Sequence, residues 1–257
     1  MCPAINPDAN PWRVPISTSV AGSKRLTVFV PALNEEENIR ATIADVAGVA
    51  GKLFDQFEIL IFNDASTDGT AKIVDELARA DARIRVIHNP VRQGLAVNFH
   101  RAIAMAQFEY ITIVPGDGAF RIDGLETLYG AVGRAEMALS YRTNMWETRS
   151  WIRYVISRSL THVVNLLFGL KLKDVHSLAV FPTGPLKAMK LISTNAGFFV
   201  EILVKLVRLP QTYVVVPMAL TPETHVLGRS LLEFHRGADM FRVLLHLRYP
   251  AYPKTRG

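Results

Sequence analysis

The sequence predicts an α/β fold, a mostly parallel sheet flanked by helices on both faces, and three observations lead there. Short runs rich in Val and Ile recur at "LTVFV" (26–30), "EILIF" (58–62), "IRVIH" (84–88) and "YITIV" (110–114). Between them, at about 38–50, 70–81 and 94–107, apolar residues fall at helical spacing. Turn residues bound each run, and four β-α repeats in succession call for crossover helices and therefore parallel strands.

Each strand hands over to a loop with its own chemistry. After the first comes "PALNEEENI" (31–39), where Asn34 reads as the cap of a helix carrying Glu35 to Glu37 in its first turn, where a helix favours negative charge. After the second comes "NDASTDGT" (63–70), with Thr67 or Asp68 as the next cap, and after the third "NPVRQGLA" (89–96). The fourth leads into "PGDGAF" (115–120), where Asp117 stands between two glycines that let the chain turn sharply and leave room for a bulky group. In a parallel sheet these loops share the carboxyl edge, the usual ligand site. Capping accounts for part of each motif. It does not account for Glu35, Asp64, Asp68 and Asp117 at one edge, where carboxylates repel unless a cation or a donor-rich ligand joins them. The edge reads as a ligand site with a metal as its candidate occupant.

Residues 137–177 begin as a strand ending at Arg142, turn, and become a helix from about 149 to 168. On that helix Ile152, Val155, Ile156, Leu160, Val163 and Leu167 form one stripe, the signature of a face packed on the core or laid on a membrane surface, and the core is the expectation. Arg153 and Ser157 lie one turn apart on another face and can reach one ligand, unless the arginines are solvated surface charges. After 230 the chain offers an amphipathic helix and a proline-rich basic tail.

With 257 residues, 49% hydrophobic and 20% charged, the chain is long enough for one large domain with a real core. A lone Cys2 excludes a disulfide framework and a thiolate metal cage, and suits a reducing, cytoplasmic setting. The richest apolar stretch, 151–170, is interrupted by Arg153, Arg158, His162 and Asn165, so no membrane span is expected. Residues 1–24, with prolines where a signal peptide has its apolar core, read as a disordered lead-in to a domain over 25–232 and a C-terminal segment over 233–257. Charge divides the chain: residues 1–141 carry 13 Lys and Arg against 17 Asp and Glu, and 142–257 carry 16 against 6. The basic part either meets something anionic or presents solvated helix faces. Nucleic acid is not expected, because no basic stripe interleaved with aromatics is present.

Taken together, "VFVPALNEEENI", "IFNDASTDGT", the acid at 117, "KDVHSLAVF" (173–181) and "HVLGRS" (225–230) resemble family 2 glycosyltransferases of the GT-A fold, which is Rossmann-like. Within them the chain is most similar to polyprenyl-phosphate glycosyltransferases such as dolichyl-phosphate mannosyltransferase. The likeness covers roughly residues 25–232 and implies a nucleotide-diphosphate sugar donor, Mg2+ or Mn2+, and inversion at the anomeric carbon. It implies that Pro31, Leu33 and Glu35 line the nucleotide pocket, that Asp64 accepts a hydrogen bond from the base, and that Asp68 belongs with them. Asp117 matches the second acid of the family's Asp-x-Asp metal motif. Pro115 stands at the first acid and Asn63 at the acid before Asp64, which bears on metal affinity more than on chemistry, since a metal on a diphosphate is held mostly by phosphate oxygens and water.

On the acceptor side the resemblance places Arg142, Arg153 and Ser157 at the phosphate of a lipid acceptor and Asp174 as a candidate base. His225 stands where relatives often have an arginine facing the diphosphate, with Arg229 close by in the same donor-side motif. His176 and Ser177 replace the small residues and glycine usual after that acid. Three functions stay open: transfer to a polyprenyl phosphate at the cytoplasmic face of a membrane, transfer to a hydroxyl of a soluble or cell-envelope acceptor, and a catalytically weakened nucleotide-sugar binder.

Overall fold

The computed structural model describes residues 23–148, 151–195, 197–209, 212–221 and 234–248. Strands β1 (Arg25–Ala32), β2 (Gln56–Asn63), β3 (Ile84–His88) and β4 (Tyr110–Ile113) alternate with helices α1 (Ile39–Leu53), α2 (Thr70–Ala80) and α3 (Leu95–Met105), and these strands pair in parallel. Beyond β4 come α4 (Ile122–Gly130), β5 (Met137–Arg142), the single-turn α5 (Met145–Thr148), α6 (Trp151–Phe168), β6 (Ala179–Pro182), α7 (Thr183–Ala188), α8 (Phe198–Val207), β7 (Tyr213–Met218) and α9 (Phe234–Arg248). All seven strands form one sheet in the order β3-β2-β1-β4-β6-β5-β7, in which β6 runs antiparallel to β4 and β5 while β7 runs parallel to β5.

Strands covered by helices on both faces bury nearly every side chain, which is why β1 and β2 are continuous apolar runs with little alternation. At the centre Phe29 meets the rings of Phe62 and Phe99 at 5.3 and 5.4 Å. Glu58 enters this core and is satisfied: it accepts the Thr27 hydroxyl and the Gln107 N–H, each at 2.8 Å.

Register positions the site. Ala32 lies level with Asn63 and Phe29 with Ile113, so the loops after β1, β2 and β4 leave the sheet side by side.

Several local expectations are corrected. Helix α1 begins at Ile39 behind Asn38, and Asn34 caps nothing; it sits at φ 59° as a loop residue. Helix α4 lies outside the helices expected from sequence, although Leu125, Leu128 and Tyr129 are buried at helical spacing. The α6 stripe expected to pack on the core is largely exposed, at Ile152, Val155, Ile156, Val163 and Leu167. Leu160, Val164 and Phe168, spaced by four, form the inward face instead, rotated by roughly a quarter turn. The expected lead-in falls outside the described residues up to position 22, while Lys24 is tied to Asp55 by paired backbone and carboxylate hydrogen bonds.

Candidate functional site

The loops after β1 and β2 are stitched together by their own polar side chains. Asn34 donates its N–H to Ser66 Oγ at 3.0 Å, and its Oδ1 accepts the Thr67 N–H at 2.8 Å. Asp68 accepts the N–H of Glu36 at 3.2 Å and of Thr70 at 3.0 Å, Glu36 accepts the Gly69 N–H at 2.6 Å, and the Thr70 hydroxyl accepts the Glu35 N–H at 2.8 Å. A Cβ at Gly69 would stand 2.7 Å from the Glu36 carboxylate and displace it from the Gly69 N–H. Asp68 and Glu36 therefore cross-link the loops, and Glu35 is left at the wall of a cavity.

That cavity, of about 200 Å3, is lined by Pro31, Leu33, Glu35 and Asp64 together with Arg92, Gly94, Asn98 and Pro115. Asp64, 6% exposed, accepts Asn89 Nδ2 and the Gln93 N–H on Oδ1, each at 2.8 Å, and the Gly94 N–H on Oδ2 at 2.9 Å. Burial alone pushes its carboxyl up, but hydrogen bonds led by the Gln93 amide outweigh it and hold the pKa below the ordinary value. Sequence reasoning marked "NPVRQGLA" as a loop at this edge but assigned no role to Asn89, Gln93 or Gly94. The available signal was Gly94, whose φ of 88° only glycine adopts easily.

Glu35 responds in the opposite way. Burial first, then the neighbouring charges of Asp117 and Asp68, raise its carboxyl to about 7. Asp117 accepts the Ala119 N–H at 3.0 Å and so turns the loop after β4. Of the flanking glycines, Gly118 makes the expected sharp turn, while Gly116 does not leave the expected room. Gly116 leaves no open room: a Cβ there would meet Ile39 Cδ1 at 2.8 Å and the Pro31 carbonyl at 3.2 Å, and its N–H donates to that carbonyl. Gly118 supplies the positive φ, 68°. Among the described residues no group of three or more His, Cys, Asp or Glu is arranged to hold a metal. Glu35 and Asp117 do fit a cation shared with a ligand, because a cation would relieve the repulsion that raises Glu35.

On the other side of the edge, Arg142 and Asp174 face each other across 32 residues. Arg142 donates through Nε to Asp174 Oδ2 at 2.7 Å, through Nη2 to Oδ1 at 2.9 Å, and through Nη2 to Ser157 Oγ at 2.9 Å; both charged side chains are 6% exposed. The Arg142 N–H at 3.3 Å and the His176 N–H at 3.0 Å also donate to Asp174. Burial pushes the Asp174 carboxyl up, but the Arg142 hydrogen bonds and charge prevail and hold it below the usual carboxylate value. Ser177 is buried against the Ser140 hydroxyl at 2.5 Å. A hollow of about 330 Å3 opens beside the pair, walled by Trp146, Tyr154, Arg158 and Lys173 as well.

The structure thus brings Pro31, Leu33, Glu35 and Asp64 to one cavity and Arg142, Ser157 and Asp174 to another, and it uses Asp68 within the loops. Arg153 lies on α6 one turn before Ser157, with its side chain outside the described residues, as are His225 and Arg229.

The family description "Glycosyl transferase family 2" matches residues 27–203. The chain is 27% identical over 173 residues to the polyprenol monophosphomannose synthase of Mycolicibacterium smegmatis, covering 61% of each protein. It is 25% identical over 208 residues to the undecaprenyl-phosphate mannosyltransferase of Micrococcus luteus, covering 76% of this chain and 82% of that one. In three other relatives the aligned part spans only 36 to 39% of their own length. Among solved structures, glucosyl-3-phosphoglycerate synthase from Mycobacterium tuberculosis, crystallised with Mn2+, UDP and phosphoglyceric acid, superposes with a TM-score of 0.63 at 17% identity, covering 90% of this chain and 80% of that one.

Proposed function

The chain belongs to glycosyltransferase family 2, and on that premise we propose that it moves a sugar from a nucleotide-diphosphate donor to a polyprenyl phosphate, with inversion, at a membrane surface. The observation that carries this reading is the Arg142–Asp174–Ser157 cluster. A hydroxyl acceptor is a weak nucleophile at neutral pH and needs a carboxylate free to take its proton. Asp174 is a poor candidate, since both of its oxygens are engaged and its pKa is lowered. A phosphate acceptor is already an anion and needs positioning and charge compensation, which arginine supplies through charge-assisted hydrogen bonds. Asp174 then orients Arg142.

On the donor side, Pro31, Leu33 and Glu35 would flank the nucleotide, and Asp64, through its hold on the 89–94 loop, would shape the base pocket. Asp117, with the donor's phosphate oxygens, would hold Mg2+ or Mn2+. Such a cation stabilises negative charge on the departing nucleoside diphosphate. The crystallised neighbour with Mn2+ and UDP supports this donor chemistry. Among the described residues no helix is long and apolar enough to cross a membrane, and the exposed α6 stripe supports docking on its surface.

A second reading, transfer to a soluble phosphorylated hydroxy acid, is favoured by one observation: the same neighbour carries phosphoglyceric acid. One experiment separates them. Radiolabelled UDP- and GDP-sugars are offered with Mn2+ and either undecaprenyl phosphate in detergent or phosphoglyceric acid. Label extracted into organic solvent supports the lipid acceptor, and label retained only in the aqueous phase overturns it.

A further inference from the structure

Two hollows beside α6 share a wall. The one next to Arg142, of about 330 Å3, and a second of about 470 Å3 are both lined by Tyr141, Arg158, Thr161 and Lys173, and His162 extends the second. Arg142 is already oriented by Asp174 there. Arg158 and Lys173 add two exposed cations to the same wall, and among the described residues neither meets a carboxylate. Arg158 Nη1 donates to the Lys173 carbonyl at 3.3 Å, and Lys173 Nζ rests 4.3 Å from the centre of the Tyr141 ring. These contacts hold two uncompensated cations at the rim of one hollow and leave most of their eight N–H donors unused. Like charges held together in this way repel until an anion joins them.

The same helix supplies the second half of an amphiphile's needs. At 100° per residue, Ile152, Val155, Ile156, Val163 and Leu166 share one exposed face, with Leu166 86% exposed, and Arg158 and His162 border it. A wide apolar face bordered by cations is complementary to a molecule with an anionic head and a hydrocarbon chain.

We infer that Arg158 and Lys173 form a phosphate-monoester subsite and that the adjoining face of α6 receives the chain of the same lipid. The inference rests on the polyprenyl-phosphate reading above and adds to its headgroup site two residues which that reading leaves unused. Arg142, oriented by Asp174, faces the same headgroup from the wall of the hollow.

The test is binding of the full chain to phosphatidylcholine vesicles with or without 5 mol% undecaprenyl phosphate. Wild type should prefer the phosphate-bearing vesicles. Arg158→Gln and Lys173→Gln should each weaken that preference about fivefold, and the double variant by about twentyfold, while UDP binding stays unchanged. Lys72→Gln, an exposed cation elsewhere, should have little effect. A double variant that binds the lipid vesicles like wild type overturns the subsite and leaves the lipid-acceptor reading standing. A wild type indifferent to undecaprenyl phosphate overturns both. Equal competition by low millimolar inorganic phosphate in wild type and in Ile156→Ser would show a site for free phosphate and overturn the lipid assignment.

Discussion

Arg142 and Asp174 form a two-pronged ion pair, 2.7 and 2.9 Å long, between side chains only 6% exposed, with Ser157 as a further acceptor for the guanidinium. A buried pair adds little net stability against a well-packed apolar alternative, yet removing one partner strands the other. Asp174→Ala should therefore cost about 3 kcal/mol or more in urea unfolding, and Ser157→Ala about 1 kcal/mol. The pair also sets an acid limit. A carboxyl whose folded pKa is depressed contributes stability that is present above its unfolded pKa of about 4 and is lost as pH falls through the folded value. Wild type should thus lose stability below about pH 4 more steeply than an Arg142→Met/Asp174→Leu double variant, and parallel acid curves would refute the pairing.

Asp117→Asn isolates charge from geometry. The asparagine oxygen can still accept the Ala119 N–H, so the turn survives, while the carboxylate proposed to tether a metal is gone. Thermal unfolding should be nearly unchanged, and turnover should fall about a hundredfold or more. Calorimetry of UDP with and without Mn2+ checks the cause: the wild type's gain from Mn2+ should vanish in the variant. An unaltered gain would return Asp117 to a turn residue.

Glu35 carries the opposite sign from Asp174. Its carboxyl is raised to about 7 by burial and by the charges of Asp117 and Asp68, so between pH 4.5 and 7 the folded state binds a proton that the unfolded chain has released. Stability contributed by this group is complete at low pH and declines as pH rises through that window. Glu35 is partly exposed, and solvent screening limits the effect to about 1 kcal/mol. Glu35→Gln should flatten the decline in stability from pH 5 to pH 8, and added Mn2+ with UDP should release protons in wild type but fewer in the variant. An unchanged pH profile in the variant would contradict the raised pKa.

Much of the donor edge was legible because parallel strands are uninterrupted apolar runs and their loops must share one edge; Glu35 and Asp64 could be grouped from order alone, and Pro31 and Leu33 through the family resemblance. What was not legible depended on partners distant in sequence. Asn34 looks like a helix cap by type, but Thr67 offered its side chain, and Ser66 its backbone N–H, a loop to bind, and the helix began later. Helical periodicity in 152–167 identified a stripe but not what would cover it, since the inward face of α6 is set by where Leu160, Val164 and Phe168 meet the core. The Arg142–Asp174 contact joins the end of β5 to the loop before β6, a pairing that only the antiparallel insertion of β6 creates.

The acceptor's chemistry decides how the remaining variants rank. If a phosphate is the nucleophile, no residue needs to take a proton, and Arg153→Ala should lower acceptor kcat/KM by about tenfold, or 1.4 kcal/mol, without altering donor binding. Asp174→Asn should then act through Arg142: it loosens one partner of a fork but keeps a hydrogen-bond acceptor, so measurable transfer survives with a raised acceptor KM. If a hydroxyl is the nucleophile, Asp174→Asn removes the base and should cut kcat by about a hundredfold or more at every acceptor concentration, while Arg153→Ala stays mild. The pH profile adds an independent check. Loss of a carboxylate base removes the acid limb of kcat, whereas loss of an orienting partner leaves that limb in place and displaces KM alone. Steady-state kinetics of the two variants from pH 5 to 8, with undecaprenyl phosphate and phosphoglyceric acid as alternative acceptors, should show Arg153→Ala failing on the lipid and Asp174→Asn retaining it. The reverse ranking would overturn the lipid phosphate as acceptor.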